Sequence, residues 1–382
     1  MNMWEDDIRI IEVTNKELLK QFVILLYQLY KNDPMWVPPL INDEMQLLLP
    51  TINPAFNFCD VKLWIAMQHS KVVGRIATII NYEWQKKNNL NYGRFSRFEC
   101  VNNQIVANKL LTIAEEYLRS KGMIAIHGPL GFNNLDHQGI LVEGFEHLAS
   151  IGSEYSKEYY QKLIENNNYQ KQIDWLEFRL KLPTELPQKV TEVNQYIINR
   201  YGIKCRTITN RDELKQYVPK IFNLFNQSFS QLFGTFEFDE KMKMFYAQKY
   251  LPIMQPRYLK IIENDNNDLL GFIIAMPSLS KAMQKANGKL FPLGCLHIIK
   301  ALRHPTEIDL LLTGIAPKIQ KLGLASLLMT ELWKTAISDG VKYVETTGIL
   351  ENNKVALQMW KTFEHIQHKR KRCYIKQLSN EL

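Results

Sequence analysis

The chain has 382 residues, of which 46% are hydrophobic and 23% charged, a balance that excludes an intrinsically disordered protein and gives room for two ordinary cores. The net charge of +8 is carried by one half: residues 1–182 hold 19 Lys and Arg against 21 Asp and Glu, and residues 183–382 hold 28 against 18. An anionic partner is therefore expected on the second half, where a nucleotide cofactor, a nucleic acid or an acidic carrier protein would each satisfy the bias.

Taken in chain order, residues 8–13 read as a strand and 15–30 as a helix. Two strand-like runs, 61–68 and 71–80, flank a turn at His69 and Ser70. Residues 95–100 follow as a strand, 103–120 as a helix, 123–128 as a strand and 157–166 as a helix. The stretch 181–190, with two prolines among polar residues, is the expected linker. Beyond it come a strand at 203–209, helices at 211–229 and 239–250, and a strand pair at 258–263 and 269–276. A strand at 307–315, a helix at 322–338, a strand at 342–349, a helix at 352–363 and a last strand at 372–376 complete the pattern. Strands alternating with helices predict an α/β architecture, and strand pairs on short turns predict mixed sheets. The two halves share one order, as a duplicated fold would.

Five scattered cysteines, Cys59, Cys100, Cys205, Cys295 and Cys373, form no CxxC pair. They exclude a disulfide framework and a zinc site and are expected as reduced, mostly buried thiols. The acidic start MNMWEDDIRI is unlike a signal peptide, and the longest apolar-leaning stretch, 22–30, is too short to span a bilayer. A cytoplasmic protein without a transmembrane segment is expected.

The strongest local signal runs from Thr313 through Gly314, Ile315, Ala316, Gln320, Lys321, Leu322, Gly323 and Leu324 to Ala325. A buried-strand pattern precedes it, Pro317 and Gly323 force a tight connection, and Leu324, Leu328, Leu332 and Ala336 then form one apolar helix face. A strand that turns sharply into a helix leaves bare backbone N–H groups at the positive end of the helix dipole, a seat for phosphate or pyrophosphate. Glycine at 323 lets an anion approach the backbone.

These residues resemble the GNAT acyltransferase superfamily. Its pyrophosphate motif, Gln/Arg-x-x-Gly-x-Gly/Ala, matches Gln320, Gly323 and Ala325, and its later helix pattern, Asn-x-x-Ala-x-x-Leu-Tyr, is followed in register from Asn353 and Ala356 to Trp360. The resemblance implies two GNAT-like domains, each a mixed, mostly antiparallel sheet flanked by helices: 1–182, degenerate and serving structure or the acceptor cleft, and 183–382, the acyltransferase domain. It implies acetyl-CoA or another acyl-CoA as co-substrate. The amides of residues 320–325 would hold the pyrophosphate, residues 312–316 would run beside the pantetheine arm, and Asn353 would touch that arm. The strands 308–315 and 342–349 would splay to admit the thioester. Two departures stand out: Trp360 replaces the tyrosine that protonates the leaving thiolate in many members, and Glu364 and His365 replace the usual Gly-Phe. The first half lacks a glycine at the equivalent turn, 99–108, and is expected to bind no cofactor.

An amine must lose its proton before attacking a thioester. Glu345 is the first candidate for base or water relay and Asp309 the second; Tyr374 is the candidate to replace the missing acid. Glu351 is expected to cap the last helix or border the acceptor site. The basic run 368–372 is expected on an exposed edge strand, the stretch 126–139 with His127 and His137 as a packed loop, and residues 32–39 as a stiff cover. The acceptor expected is a small-molecule or peptide amine, with an acyl carrier protein as a further partner and no nucleic acid. Alternatives are a carrier-protein-dependent synthase of N-acyl amino acids or lipids and a non-catalytic binding module.

Overall fold

The computed structural model describes residues 7–153, 155–359 and 363–378. In the first half, β1 (Ile8–Glu12), α1 (Lys16–Leu29), α2 (Ile41–Leu47), β2 (Cys59–Gln68), β3 (Lys71–Asn81), α3 (Tyr82–Asn88), β4 (Tyr92–Cys100) and α4 (Gln104–Ser120) succeed one another. They are followed by β5 (Ala125–Gly128), β6 (Ile140–Glu143), α5 (Tyr159–Glu165) and β7 (Gln170–Lys181). Then come α6 (Gln188–Tyr201), β8 (Lys204–Thr207), α7 (Arg211–Ser228), α8 (Glu240–Tyr250), β9 (Leu259–Glu263), β10 (Leu269–Pro277), α9 (Ser280–Ala286) and α10 (Gly294–Arg303). The chain closes with β11 (Glu307–Ile315), α11 (Leu324–Ser338), β12 (Tyr343–Thr346), the two-residue β13 (Ile349–Leu350), α12 (Lys354–Gln358) and β14 (His365–Gln377).

Two compact units result. The first comprises Met1–Leu176, Met283–Gly294 and Lys369–Leu382; the second comprises Glu177–Ala282 and Cys295–His368. The divisions fall within β7 and β14, so the chain's last strand completes the first unit and the end of β7 opens the second.

In the first unit β1, β2, β3, β4, β5 and β14 lie in that order, all neighbours antiparallel except β4 and β5. His69 and Ser70, at φ 46° and 70°, make the two-residue left-handed turn that suits the twist of the β2–β3 hairpin. The helix α4 buries Val106, Ala107, Leu110, Leu111, Ala114 and Leu118, one face at helical spacing. It sits so close to the sheet that a Cβ on Gly74 would lie 2.7 Å from the Leu110 side chain. The second unit repeats the plan: β12, β11, β10, β9 and β8 follow the end of β7, with β11 and β12 parallel and every other pair antiparallel. There α11 packs against β9 and β10 through Leu324, Leu327, Leu328, Leu332 and Ala336.

The proline-rich stretch contributes less linker than expected, since α6 begins directly after Pro187, whose fixed φ suits a helix start. The basic run is a correction. Residues 368–372 do not form an exposed edge, because β14 pairs with β5 and β6, and His368, Lys369 and Lys371 are buried. Within the first unit Arg370 and Arg372 both bond Asp174 of β7, at 3.1 and 2.9 Å. The cysteines are all free, with Cys59, Cys100 and Cys373 buried. Among the described residues no group of His, Cys, Asp and Glu could hold a metal ion, and no helix is long and apolar enough to cross a membrane.

Of the stretch expected as a packed loop, His127 instead lies on β5, where it is fully buried between Trp84 and Tyr92, at ring distances of 5.1 and 5.7 Å. Burial, and then the Arg94 guanidinium, push its imidazole down to about 3, against an opposing hydrogen bond with Gln172. The unfolded chain takes up this proton below about pH 6.5, while the folded chain refuses it until about pH 3. Stability is therefore expected to fall with falling pH across that window, by about 1 kcal/mol per pH unit from this group alone. His127→Phe is expected to reduce the slope of melting temperature against pH between neutrality and pH 4; an unchanged slope would rule the assignment out.

Candidate functional site

The parallel pair β11 and β12 is the centre of the second unit. Its register runs from Glu307 opposite Tyr343 to Leu310 opposite Thr346 and stops there. One more contact, Thr347 N–H to the Leu310 carbonyl at 3.2 Å, closes the pair, and the Thr347 hydroxyl donates to the Leu311 carbonyl at 3.1 Å. On the other edge β11 stays paired with β10 as far as Ile315. The β10 register skips Leu311, placing a bulge where β12 leaves. Burial follows the parting: Ile308, Asp309 and Leu310 are buried, whereas Leu311, Leu312 and Thr313 are half-exposed, as are Thr347, Gly348 and Ile349 on the facing segment. The strands thus form a wedge-shaped opening with one polar backbone edge.

After the wedge, Ala316 N–H bonds the Leu270 carbonyl at 2.9 Å and a 3-10 turn, Pro317–Leu322, follows. The Gln320 amide braces this turn against the Ile315 carbonyl at 3.3 Å. Lys321 and Leu322 end the turn, and Gly323 takes φ 79° and ψ 10°, the left-handed region that favours glycine. It is exposed and is also the N-cap of α11, without a side chain to accept from the first helical N–H groups. Leu324 is buried against the sheet, and Ala325 is half-exposed. The predicted segment is thus an interrupted bend, and its exposed glycine leaves the first N–H groups of α11 without a side-chain cap. Thr313, Gly314 and Ile315 at the end of β11, and Ala316 just after it, lead directly into the bend. Gly314 is packed so that a Cβ would meet the Phe272 ring at 2.5 Å.

Glu345 lies on β12 opposite Asp309 of β11 and Arg179 of β7, three residues in one row across the second unit's sheet. It is 8% exposed. Arg179 donates to Glu345 at 3.4 Å and to Glu307 at 2.7 Å, while its guanidinium lies 4.5 Å from the Tyr343 ring centre. His368 Nε2 faces the other Glu345 oxygen at 3.7 Å. The partner of its Nδ1, at 3.1 Å, is the Glu177 carbonyl, which can only accept, so Nδ1 carries a proton. A carboxylate held by a guanidinium on one oxygen, with an imidazole nitrogen 3.7 Å from the other, can take up a proton. Sequence reasoning missed Arg179 and His368. Neither carried a motif, and the strand bearing Arg179 was not recognised.

The other expected residues are placed as follows. Asn353 caps α12, its side-chain oxygen accepting from Ala356 N–H at 3.2 Å. Tyr374 belongs to the first unit: it is fully buried opposite Gly128 and its hydroxyl donates to Glu165 at 3.0 Å. Burial, then the Glu165 carboxylate, raise its hydroxyl above the usual tyrosine range. It is not brought together with Glu345 within either unit. Trp360 lies outside the described residues.

The first unit closes the corresponding features with its own side chains. Its strand before the helix, β4, is also bulged, with Arg97 at φ 49°. Where β4 leaves β5, the buried Arg97 guanidinium meets Asp136 at 3.1 Å and Glu44 at 3.6 Å. At the turn, Asn103 accepts from the N–H groups of Ile105 and Val106 at 2.8 and 3.4 Å. The Tyr159 hydroxyl donates to the Cys100 carbonyl at 2.8 Å, and that of Tyr160 accepts from Cys100 N–H at 3.3 Å. Asn103→Ala is expected to cost about 1 kcal/mol of stability through loss of this cap, and to leave donor affinity unchanged. Thermal melting beside donor titration checks both parts.

The comparisons agree with this plan. The chain is 24% identical over 371 residues to protein YghO of Escherichia coli K12, covering 95% of this chain and 94% of that protein. It is 24% identical over 382 residues to a bacterial ceramide synthase of Caulobacter vibrioides, covering 97% and 98%. No family model matches the sequence. Among solved structures it is similar to a tandem GNAT protein from the clavulanic acid biosynthesis pathway, with a TM-score of 0.55 at 13% identity over 98% of this chain and 100% of the other. It is similar also to a GCN5-related N-acetyltransferase from Sphaerobacter thermophilus, with a TM-score of 0.54 at 10% identity over 99% and 98%. The fold of this chain is the tandem GNAT fold, two GNAT-like domains, each a mixed sheet flanked by helices.

Proposed function

We propose that this chain is an N-acyltransferase in which the second unit holds an acyl-CoA thioester and an amine attacks it directly. The observation that carries the reading is the wedge between β11 and β12 running into the uncapped, exposed glycine start of α11. The donor would lie with its diphosphate on the amides of residues 320–325, under the exposed Lys318, and its acyl arm beside Thr313, Gly314 and Ile315. Asn353 would border that arm. The first unit, its turn closed by Asn103, would bind no donor.

The thioester supplies an activated carbonyl. A C–N bond forms as the C–S bond breaks, the sulfur leaves as a thiolate that takes a proton from solvent, and the amine's proton has to be taken up. Glu345 would accept it, directly or through water, with Arg179 holding the carboxylate and His368 able to receive the proton onward. Tyr374 is given no part, because its hydroxyl is committed to Glu165 inside the first unit's core.

A second reading concerns donor and acceptor rather than chemistry. One relative is named a bacterial ceramide synthase, and a ceramide is the amide of a fatty acid with a long-chain amino alcohol. A long-chain acyl donor, on coenzyme A or on a carrier protein, and a lipid amine acceptor therefore stand beside an acetyl donor with a small or peptide amine. Titration calorimetry with coenzyme A, followed by turnover with acetyl-CoA, palmitoyl-CoA and acylated carrier protein against water-soluble and long-chain amines, separates them. Binding of coenzyme A with amide formation is expected. Failure to bind coenzyme A while acylated carrier protein is consumed would move the donor to the carrier, and failure with every donor would overturn the enzyme reading.

A further inference from the structure

The connection between β10 and β11 is acid-free and presents cations and large apolar side chains together to solvent. From Ser278 to Thr306 there is no Asp or Glu, whereas Lys281, Lys285, Lys289, Lys300 and Arg303 are all exposed. Within ten residues, Leu290, Phe291, Leu293, Leu296 and Ile299 are also exposed, Phe291 at 78% and Leu293 at 62%. The helix α10 carries apolar side chains on both its covered and its exposed faces. Leu296 and Ile299, with Lys300 and Arg303 on the following turn, stand in solvent, while Ile298, Ala301 and Leu302 are half-covered. A single exposed leucine needs no explanation, but five large apolar side chains in ten residues do.

The base of the segment is fixed. Within the first unit Gln284 donates to the carbonyls of Pro34 and Trp36 at 2.8 and 3.0 Å, and the Gly288 carbonyl accepts from Ile41 N–H at 3.1 Å. Gly288 is packed so that a Cβ would meet the Tyr27 ring at 2.6 Å. Residues 289–293 therefore leave an anchored stem with their apolar side chains uncovered.

We infer that residues 289–303 are a docking segment for an anionic lipid bilayer. Phe291, Leu293, Leu296 and Ile299 enter the boundary between headgroups and acyl chains, and Lys289, Lys300 and Arg303 meet lipid phosphates. The charge selects this occupant. A second copy of the chain would set the same cations against one another, whereas a negatively charged interface satisfies them and accepts the apolar groups together. The inference does not depend on the acyl-transfer reading. If both hold, the segment brings the enzyme to an acceptor amine resident in the membrane.

Sedimentation of the full chain with vesicles tests it without any turnover. The chain is expected to pellet with mixed phosphatidylglycerol–phosphatidylcholine vesicles and not with phosphatidylcholine alone, and to be released as salt rises. F291D/L293D is expected to weaken the partition by at least about ten-fold, and Lys300→Glu with Arg303→Glu to remove the preference for anionic lipid. All four side chains are exposed, so the melting temperature should stay near that of the parent. Failure to pellet with anionic vesicles overturns the inference. So does partition unaffected by F291D/L293D, or cross-linking of this segment to an acidic carrier protein instead of recruitment to lipid.

Discussion

Gly323→Glu is expected to raise the KM for the acyl donor by at least about 100-fold, with little change in overall fold. Three effects act in one direction. A non-glycine residue in the left-handed region costs about 1–2 kcal/mol, and φ at this position is 79°. A Cβ there would lie 3.2 Å from Ile197 Cδ1, so that side chain has to give way by a few tenths of an ångström. The new carboxylate would stand where an anion is to be received, turning the favourable end of the α11 dipole toward the protein's own side chain. Gly323→Ala separates these terms. It keeps the strain and the contact without the charge, so it should cost stability by about 1 kcal/mol and affinity by no more than about ten-fold. Donor titration and circular dichroism melting on both variants decide the matter. A Glu variant that melts like the parent and binds coenzyme A equally well would mean that the anion does not sit at this turn.

The turn was legible because the physics is local. A buried strand, a proline, a glycine and an apolar helix face occupy some thirty consecutive residues, and no distant partner is needed to fix their geometry. The same holds for the β2–β3 hairpin and for α4, whose apolar positions repeat at helical spacing. What stayed hidden depended on partners far away in sequence. β7 was overlooked because Asp174 and Glu177 interrupt its apolar row, yet both are buried, Asp174 being paid for by Arg370 and Arg372 nearly two hundred residues later. For the same reason the run 368–372 looked like a solvated edge and is interior. The helix α9 was hidden because it has only seven residues, and α10 because Leu296 and Ile299 interrupt the polar outer face that marks a helix in water. Arg179 and His368 converge on Glu345 only when the end of β7 is laid beside β12 and the His368 ring reaches the Glu177 carbonyl of β7.

Glu345→Gln is expected to lower kcat by about 100-fold or more while leaving the donor KM near its original value. The substitution keeps the shape of the side chain and an oxygen for Arg179, and Arg179 retains Glu307 at 2.7 Å, so the row across the sheet should survive. Only the capacity to take a proton is lost. The acceptor amine would then have to arrive already neutral, and its neutral fraction rises about ten-fold per pH unit up to a pKa near 10. The variant should accordingly regain rate as pH is raised, more steeply than the parent, whose base lessens that dependence. His368→Gln provides the companion measurement. If His368 receives the proton onward from Glu345, this variant should slow turnover less than Glu345→Gln does, and the double variant should be no slower than Glu345→Gln alone, since the two residues would act on one proton. A kcat unchanged in Glu345→Gln, together with a lowered melting temperature, would make the carboxylate a structural partner of Arg179, and the proton would then have to leave through solvent or another group.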